Sequence, residues 1–385
     1  MKHIELIVGN KAVAYGVKLA RVQVISAYPI TPQTTIVQYL AEFVANGDLK
    51  AKFIEVEAEI SAMVAVQGAS FAGARTFTAT SGPGLLYMHH PMMEGNQLPI
   101  VMSVVHRSNK SMQPDHTDTM AENATGWMQL YCEDNQEALD TTIMSYKIAE
   151  DPRLYTPIIF GIDGYILSYT AEPVVIPEQD LVDGWLPPFK PKWAPDVNVP
   201  VQEWKKQQGG YYGGQKAWIT HDQHFKKSLE IIKEVHADFE KTFGRRYGNG
   251  LIEEYNCEGA DAVIVAMGTI ASTARVTIDD MRSEGKKVGL VKLKTYRPFP
   301  ADEMRCLAAK YHVLGIIDRN VCLGAGGNVF NETRSAVYDM DERPKVLGFH
   351  TGMAGEEVTP QMIEKIAEKT LKAVKQRVEP TVEWV

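Results

Sequence analysis

The strongest constraint on the fold is a repeated alternation of short apolar runs with helix-length segments. In the first half of the chain the apolar runs are residues 22–27, 53–57, 76–80, 99–105 and 157–161. Strands separated by helix-length segments are typical of βαβ units, whose strands pair in parallel. The sequence therefore predicts an α/β fold with a mostly parallel sheet in its first half.

The composition of the sequence changes near Leu186, where a proline-rich and then glycine-rich stretch begins. It ends in an amphipathic helix, and the apolar face of this helix carries Phe225, Leu229, Ile232, Phe239 and Phe243. We expect this face to pack on a neighbouring domain. Residues 187–256 are therefore predicted to be a linker or wrapping arm that follows a first domain at residues 1–186.

The last third of the chain repeats the α/β pattern on a smaller scale. Apolar runs lie at residues 261–268, 287–293 and 313–318, with helical spacing at about 272–284 and 361–377. Residues 257–385 are therefore predicted to be a second, smaller α/β domain.

Charge and cysteine content exclude several classes of function. The chain has 385 residues and a net charge of −8, whereas nucleic-acid binding normally needs a basic surface. No apolar run approaches the roughly 20 residues that a membrane span requires, and no signal peptide is recognised. The four cysteines lie far apart in sequence, so we expect reduced thiols, no iron–sulfur cluster in this chain and a cytoplasmic location.

Three segments that follow predicted strands carry polar side chains suited to a site. The first is Y-P-I-T-P-Q-T at residues 28–34, where Thr31 presents a hydroxyl between Pro29 and Pro32. A rigid turn with Thr34 as helix N-cap explains this segment equally well. The second is E-V-E-A-E at residues 55–59, which fits either a solvated rim or a buried carboxylate that exchanges a proton with a ligand.

The third segment is H-R-S-N-K at residues 106–110, directly after an apolar strand. The planar guanidinium of Arg107 can donate two hydrogen bonds to a carboxylate. An arginine here is equally well explained as a member of a structural ion pair. The loop continues to D-H-T-D at residues 115–118. This pattern lacks a further ligand at a defined spacing, so no metal site is predicted.

Two glycine-rich loops resemble places where a backbone approaches a phosphate. They are T-S-G-P-G at residues 80–84 and G-A-G-G-N at residues 324–328. Tight packing explains such glycines as well as anion binding does. No G-x-G-x-x-G follows the first strand and no Walker sequence is found, so nucleotide binding is not predicted.

Taken together, these segments resemble one family. Y-P-I-T-P at residues 28–32 is similar to the signature of pyruvate:ferredoxin oxidoreductases and their relatives for other 2-oxo acids. The resemblance continues at residues 57–59, 76–81, 106–107, 125–129, 135–140, 296–300 and 318–320. It covers nearly the whole chain apart from residues 195–222, and it identifies the chain as an α-type subunit.

The resemblance implies a fold and a set of partners. The first domain would form the pyrimidine side of a thiamine diphosphate site, and the second would resemble the C-terminal domain of transketolase. The diphosphate and its Mg²⁺ would lie on a β subunit with a G-D-G motif, because this chain has only G-I-D-G at residues 161–164. Electrons would leave through iron–sulfur clusters in γ and ferredoxin-like subunits, towards ferredoxin or another acceptor.

The resemblance also implies roles for individual residues. Glu59 matches the glutamate that hydrogen-bonds the pyrimidine ring and so promotes removal of the thiazolium C2 proton. Thr31 and Arg107 match the pair that holds the substrate, and Pro29, Thr80 and Ser81 are expected to contact the cofactor. The loop residues Lys110, Asp115 and His116 are candidates for movement towards the substrate.

The implied reaction is oxidative decarboxylation of a 2-oxo acid, with coenzyme A or water accepting the acyl group. Thr31 argues against relatives that bind oxalate through a second arginine, which leaves pyruvate, 2-oxoisovalerate and phenylglyoxylate open. Two other functions are considered: a non-catalytic assembly subunit, and a transketolase-type transferase half-site. An oxidoreductase would reduce a dye, whereas a transketolase-type half-site would transfer an aldehyde unit, so this test separates the two.

Overall fold

The first part of the chain builds a seven-stranded sheet flanked by helices. The computed structural model describes residues 3–95, 97–191, 198, 215–376 and 382–385. The elements up to residue 185 are β1 (His3–Val8), α1 (Gly9–Leu19), β2 (Val24–Ser26), α2 (Thr34–Ala45), β3 (Lys52–Ile54), α3 (Glu59–Phe71), β4 (Thr76–Thr80), α4 (Gly82–Tyr87), α5 (His89–Glu94), β5 (Val101–His106), α6 (Thr117–Met120), β6 (Met128–Tyr131), α7 (Asn135–Ala149), β7 (Ile158–Asp163), β8 (Ala171–Ile176) and α8 (Gln179–Trp185).

The remaining elements form a long helix and a second, six-stranded sheet. They are α9 (Gln215–Phe243), β9 (Ile252–Tyr255), β10 (Ala262–Ala266), α10 (Thr269–Ser283), β11 (Val288–Leu293), β12 (Thr295–Arg297), α11 (Ala301–Lys310), β13 (Val313–Asp318), α12 (Asn328–Val337), β14 (Lys345–His350), a 3₁₀ turn (Met353–Gly355), α13 (Pro360–Lys375) and β15 (Val382–Trp384).

Both large sheets are mainly parallel, as the alternating pattern predicts. The first has the order β12-β6-β7-β5-β4-β2-β3, and all its neighbours pair in parallel except β12 with β6. The second has the order β15-β14-β13-β10-β11-β9, with only β9 antiparallel. β1 and β8 form a separate antiparallel pair. The central strands are buried on both faces, which explains their continuous apolar runs.

Helix α9 packs on the first domain, as the apolar stripe predicts. Phe239 and Phe243 lie in the core beside Trp185, with ring centroids 5.4 Å and 5.6 Å from it. Ile232 is buried in the same core, while Phe225 and Leu229 pack at its margin. Residues 192–197 and 199–214 of the predicted arm lie outside the described residues.

The two sheets exchange strands across the predicted domain boundaries. β9 lies inside the predicted linker at residues 187–256 but pairs with β11 of the second sheet. β12 lies inside the second unit but pairs with β6 of the first sheet, Thr295 opposite Leu130. The boundary predicted at residue 256 is therefore too late for the second sheet, because strand pairing is long-range and cannot be read from a local apolar pattern.

No helix in the described ranges is both long enough and apolar enough to cross a membrane. The four cysteines are free thiols, with Cys132 and Cys257 buried and Cys306 and Cys322 exposed.

Candidate active site

The polar segments predicted from the sequence meet at one edge of the first sheet. Strands β5, β4, β2 and β3 are neighbours and run in parallel, so the loops after them leave from the same edge. These loops carry the Y-P-I-T-P segment, Glu59, the T-S-G-P-G loop and Arg107. Open α/β sheets place their ligand sites at the carboxyl ends of strands, which this arrangement follows.

Glu59 is the buried member of the E-V-E-A-E segment. It begins α3, whereas Glu55 and Glu57 are exposed and Glu57 bonds Ser61 at the surface. The Glu59 carboxylate lies so close to Gly84 that a Cβ at Gly84 would be 2.7 Å from Oε1. The same Cβ would be 2.6 Å from Oγ1 of Thr80, a buried hydroxyl with no hydrogen-bond partner among the described residues. The segment thus combines an exposed acidic rim with one buried acid, and proton exchange with a ligand stays a prediction.

Two long-range side-chain hydrogen bonds hold the Y-P-I-T-P turn. Nδ2 of Asn10 donates to the Pro32 carbonyl oxygen at 2.9 Å, and Nε2 of Gln33 donates to the Ala79 carbonyl oxygen at 2.9 Å. The Thr31–Pro32 peptide bond is cis, and Thr31 itself is exposed. Thr34 is the first residue of α2 rather than its N-cap, since Gln33 occupies that position. The hydrogen bonds from Asn10 and Gln33 hold the turn in place, but the predicted capping role of Thr34 is wrong.

Arg107 lies beside this turn, and its guanidinium forms no ion pair with an acid that the structure describes. Its Nη1 donates to the Thr31 carbonyl oxygen at 3.1 Å, and its buried Nε has no hydrogen-bond partner in the part of the chain that the structure describes. Its backbone N–H donates to Oδ2 of Asp118 at 2.9 Å. No described carboxylate forms an ion pair with the guanidinium, so the structural ion-pair alternative receives no support.

The two remaining cofactor candidates differ in their surroundings. Pro29 is exposed on the same turn as Thr31. Ser81 is buried, and its hydroxyl donates to the Val105 carbonyl oxygen. This bond ties the ends of β4 and β5 together. It favours a structural role for the Ser81 side chain over the predicted contact with the cofactor.

The three candidates on the loop after Arg107 do not share one environment. Lys110 is exposed, whereas Asp115 and His116 are buried. Asp115 accepts hydrogen bonds from the backbone N–H groups of Thr117 and Ala354, both at 3.0 Å. The bond from Ala354 ties the loop to the second domain. The predicted movement of Asp115 and His116 towards the substrate would have to displace buried side chains, whereas Lys110 is already exposed.

His116 belongs to a buried cluster between the two domains. Its Nε2 lies 3.0 Å from Oδ1 of Asp163, and Oδ2 of Asp163 accepts from Nη1 of Arg319 at 3.0 Å and from Thr269. Burial alone would raise the pKa of Asp163, but Arg319 and His116 hold that pKa well below its usual range. Burial lowers the pKa of His116. The cluster therefore joins the end of β7 to the second domain through charge.

Three side chains of the same cluster lie close enough together to bind a metal, if distance is the only criterion. Ligand-type atoms of His106, His116 and Asp163 lie within 4.8 Å of one another. However, Nε2 of His106 lies against Gly161, where a Cβ would be only 1.9 Å away. Asp163 is already bonded to His116 and Arg319. These contacts favour a hydrogen-bonded cluster over a metal centre.

A second buried charge cluster, which was not predicted from the sequence, joins the domains. Oε2 of Glu137 lies 2.7 Å from Nζ of Lys292, and Oε1 lies 2.8 Å from Nζ of Lys294. Glu133 also contacts Lys292 at 2.8 Å and pairs with Arg275. Burial would raise the pKa of Glu137, but the two lysines lower it to about 2. A visible signal was K-L-K at the end of an otherwise apolar strand, because buried lysines require acidic partners.

The second glycine-rich loop has a structural explanation. A Cβ at Gly327 would lie 1.9 Å from Oδ2 of Asp318, so only glycine fits there. Asp318 accepts the backbone N–H groups of Val329 and Phe330 at 2.9 Å and 3.0 Å, and burial raises its pKa to about 6. This carboxylate thus occupies the start of α12. Packing, rather than phosphate binding, accounts for G-A-G-G-N.

Comparison with known proteins identifies the family. A family model described as pyruvate flavodoxin/ferredoxin oxidoreductase, thiamine diP-bdg (thiamine diphosphate-binding), matches residues 15–241. The chain belongs to this family. A second model, pyruvate:ferredoxin oxidoreductase core domain II, matches residues 260–363 of this family member.

Relatives similar to this oxidoreductase chain share almost its full length. Pyruvate synthase subunit PorA of Pyrococcus furiosus is 42% identical, covering 98% of this chain and 96% of that protein. Ketoisovalerate oxidoreductase subunit VorA of Pyrococcus horikoshii is 39% identical, covering 99% and 97%. The α subunit of NADH-dependent phenylglyoxylate dehydrogenase of Aromatoleum evansii is 35% identical, covering 97% and 92%. The predicted identity as an α-type subunit of 2-oxo acid oxidoreductases is confirmed.

Two solved structures support the fold. The 2-oxoglutarate:ferredoxin oxidoreductase from Magnetococcus marinus, solved with 2-oxoglutarate, coenzyme A and succinyl-CoA bound, gives a TM-score of 0.73 at 22% identity, covering 96% of this chain and 66% of that chain. A split-gene transketolase, an inactive β4 tetramer, gives 0.57 at 12% identity, covering 96% and 99%. The predicted α/β fold of thiamine-diphosphate-binding and transketolase-like units is confirmed.

Proposed function

We propose that Glu59, Thr31 and Arg107 form this chain's half of a thiamine diphosphate site that decarboxylates a 2-oxo acid oxidatively. The observation that carries the proposal is the convergence of these three residues at one sheet edge, with one acid buried and one arginine that no described carboxylate pairs with. A buried carboxylate without a charged partner is suited to proton exchange with a ligand. An unpaired guanidinium is suited to a carboxylate.

The residues present fit the pyrimidine side of the cofactor. Thr80 presents a buried hydroxyl with no partner among the described side chains, and Gly84 leaves room beside Glu59 that any Cβ would fill. Glu59 would hydrogen-bond the pyrimidine ring, and Pro29 and Thr80 would lie beside that ring. When bound, the cofactor supplies the carbon nucleophile that attacks the 2-oxo carbon and holds the electrons left after CO₂ departs.

The substrate would be held by its charged end. Arg107 already donates from Nη1 to the Thr31 carbonyl oxygen, which brings the guanidinium and Thr31 together before any ligand binds. The remaining donors would bind the substrate carboxylate, and the Thr31 hydroxyl would orient the adjacent oxo group. Such preorganisation places the reacting carbon without a large rearrangement of this chain.

The other components would lie on partner subunits. The described residues include no cysteine pair that could anchor a cluster, and the chain lacks the G-D-G motif of the diphosphate side. We propose a β subunit for the diphosphate and Mg²⁺, with γ and ferredoxin-like subunits carrying the clusters and passing electrons to ferredoxin or another acceptor. Coenzyme A is the proposed acyl acceptor, since the similar Magnetococcus enzyme was solved with it bound.

The substrate is proposed to be pyruvate, 2-oxoisovalerate or phenylglyoxylate. The three relatives compared above are named for enzymes of these three acids, and their identities to this chain lie between 35% and 42%. Lys110 is the exposed one of the three loop candidates Lys110, Asp115 and His116, so we propose that it approaches the substrate during the reaction.

The test is anaerobic dye reduction by the complex as isolated. Pyruvate, 2-oxoisovalerate, phenylglyoxylate, 2-oxoglutarate and oxalate would be compared, with and without thiamine diphosphate and coenzyme A. We expect strong, cofactor-dependent turnover with one of the first three acids. Transfer of an aldehyde unit to a sugar without dye reduction would indicate a transferase. Activity that survives Glu59→Gln and Arg107→Ala unchanged would indicate a non-catalytic assembly subunit.

A further inference from the structure

We propose that Asp118 is a positioning residue that sets the separation between Glu59 and Arg107. This inference rests on the proposed function of those two residues. Asp118 belongs to the D-H-T-D pattern and lies at the second residue of α6, behind the site rather than in it. Its side chain is completely buried.

The Asp118 carboxylate bonds two loops of the site at once. Oδ2 accepts the backbone N–H of Arg107 at 2.9 Å and that of Gly82 at 3.3 Å. Oδ1 accepts the backbone N–H of Thr119 at 2.7 Å and lies 3.0 Å from Nδ1 of His106. Three backbone donors and a ring nitrogen thus surround one carboxylate. The two contacts of Oδ2 join the loop after β4 to the loop after β5.

The loop that Asp118 holds lies between the two proposed active residues. Gly82 has φ of +43°, and a Cβ there would be 3.1 Å from the Arg107 side chain. Two residues further on, Gly84 leaves room for Glu59. The S-G-P-G segment is therefore packed against the arginine at one end and the glutamate at the other. A shift of this segment would change the distance between acid and guanidinium.

Asp118 is itself held in place by a rigid aromatic support. The ring of His106 stacks on that of Tyr131, with centroids 5.2 Å apart and planes 9° apart. The Tyr131 hydroxyl lies 2.8 Å from Oγ1 of Thr119, whose backbone N–H bonds Asp118. The contacts among Asp118, His106, Tyr131 and Thr119 therefore form a closed loop. Because this loop holds Asp118 in place, its hydrogen bonds can position the two active-site loops.

Asp118→Asn is the discriminating variant because it preserves the size of the side chain. An amide has one acceptor oxygen, so it cannot accept N–H groups on both sides. Either the Arg107 and Gly82 donors or the Thr119 donor would face an NH₂ group. We expect the KM for the 2-oxo acid to rise by about 10- to 100-fold, because small displacements of groups near a reacting centre have effects of this size. Thiamine diphosphate should also bind at least several-fold more weakly to the complex by calorimetry.

Asp318→Asn is the matched control. Asp318 is equally buried and also accepts two backbone N–H groups, but at the start of α12 in the second domain. We expect both variants to lower the thermal midpoint, and only Asp118→Asn to change the KM and cofactor affinity. Equal kinetic effects in the two variants, or none in Asp118→Asn, would overturn the proposal.

A double variant separates this inference from the proposed function. In an Arg107→Ala background, Asp118→Asn should raise the KM little further, because its effect on the substrate acts through Arg107. Its effect on cofactor affinity should persist, since that acts through Gly82. Full additivity of the two KM effects would show that Asp118 does not act through Arg107. If Arg107→Ala and Glu59→Gln alone change nothing, the proposed function fails instead.

Discussion

Nη1 of Arg319 donates to Oδ2 of Asp163 at 3.0 Å, and both side chains are buried between the two domains. Asp163 ends β7 of the first sheet and Arg319 follows β13 of the second. Nε of Arg319 also donates to the Gly352 carbonyl oxygen at 2.9 Å. One guanidinium therefore joins three separate parts of the chain, close to the loop that carries the proposed switch residue Lys110.

Replacing Arg319 with methionine should loosen the contact between the domains. The change leaves the Asp163 charge buried without its guanidinium, which costs about 3–5 kcal/mol when a buried pair is broken on one side. Calorimetry of the complex should show a lower thermal midpoint. Lys226→Met is the matched control, since Lys226 forms an exposed pair with Asp222 that contributes at most about 1 kcal/mol. Equal midpoints for the two variants would contradict the prediction.

Glu137→Gln should destabilise the protein in a way that depends on pH. At neutral pH the change leaves Lys292 and Lys294 short of counter-charge, which we expect to cost about 3–5 kcal/mol. Because the lysines lower the pKa of Glu137 from 4.5 to about 2, its stabilisation is complete above pH 4.5 and is lost as the pH falls towards 2. Thermal midpoints of wild type and variant should therefore converge over that range.

The control for this prediction is Glu364→Gln. Glu364 contacts Lys286 at the surface, so its replacement should change the midpoint little at any pH. A constant difference between wild type and Glu137→Gln from pH 7 down to pH 2 would show that Glu137 titrates with an ordinary pKa.

Glu59→Gln tests the proposed acid directly. The amide keeps the size of the side chain but cannot exchange a proton as a carboxylate does. We expect dye reduction to fall by about 10²-fold or more, which is the usual contribution of a general acid or base. Thermal stability should change little, because no described residue forms an ion pair with Glu59. Near-normal turnover would remove Glu59 from the mechanism.

Gly84→Ala should impair the same step without removing any functional group. Its Cβ would lie 2.7 Å from Oε1 of Glu59 and 2.6 Å from Oγ1 of Thr80, so both must move. We expect kcat to fall by about 10- to 100-fold. Gly68→Ala on α3 is the control, since nothing lies within 4 Å of its Cβ and alanine favours a helix. Similar activities for the two variants would show that Glu59 tolerates displacement.

Lys110 and His116 should behave differently when each is replaced by alanine. Lys110 is exposed and is paired with no described acid, so Lys110→Ala should change the kinetics and leave the thermal midpoint almost unchanged. His116 is buried against Asp163, so His116→Ala should lower the midpoint clearly. Initial rates and calorimetry on both variants would check this. Unchanged kinetics in Lys110→Ala would end its proposed role.

Local patterns predicted the strands and helices that are buried and periodic. The runs at β4, β5 and β10 were found because strands covered on both faces are almost wholly apolar. β1 and β8 were not predicted. Their outer face stays exposed, with Leu6 opposite Pro173, so neither strand shows a buried run.

The candidate site was predictable where a residue has a recognisable motif around it, as Thr31, Glu59 and Arg107 do. Asn10 and Asp118 were not predictable in the same way. Asn10 acts on Pro32 and Asp118 on Gly82, across 22 and 36 residues of sequence. Such bonds depend on tertiary folding, and a single sequence does not show which distant backbone groups a side chain will meet.

The pairing of β12 with β6 has a consequence for how the chain can be divided. A fragment ending before β9 would leave β6 as an exposed sheet edge, which invites association with other chains. A fragment beginning at β9 would carry Lys292 and Lys294 without Glu137. Neither half is therefore a sound unit for separate expression, and a gene split in this region would yield two pieces that need each other to fold.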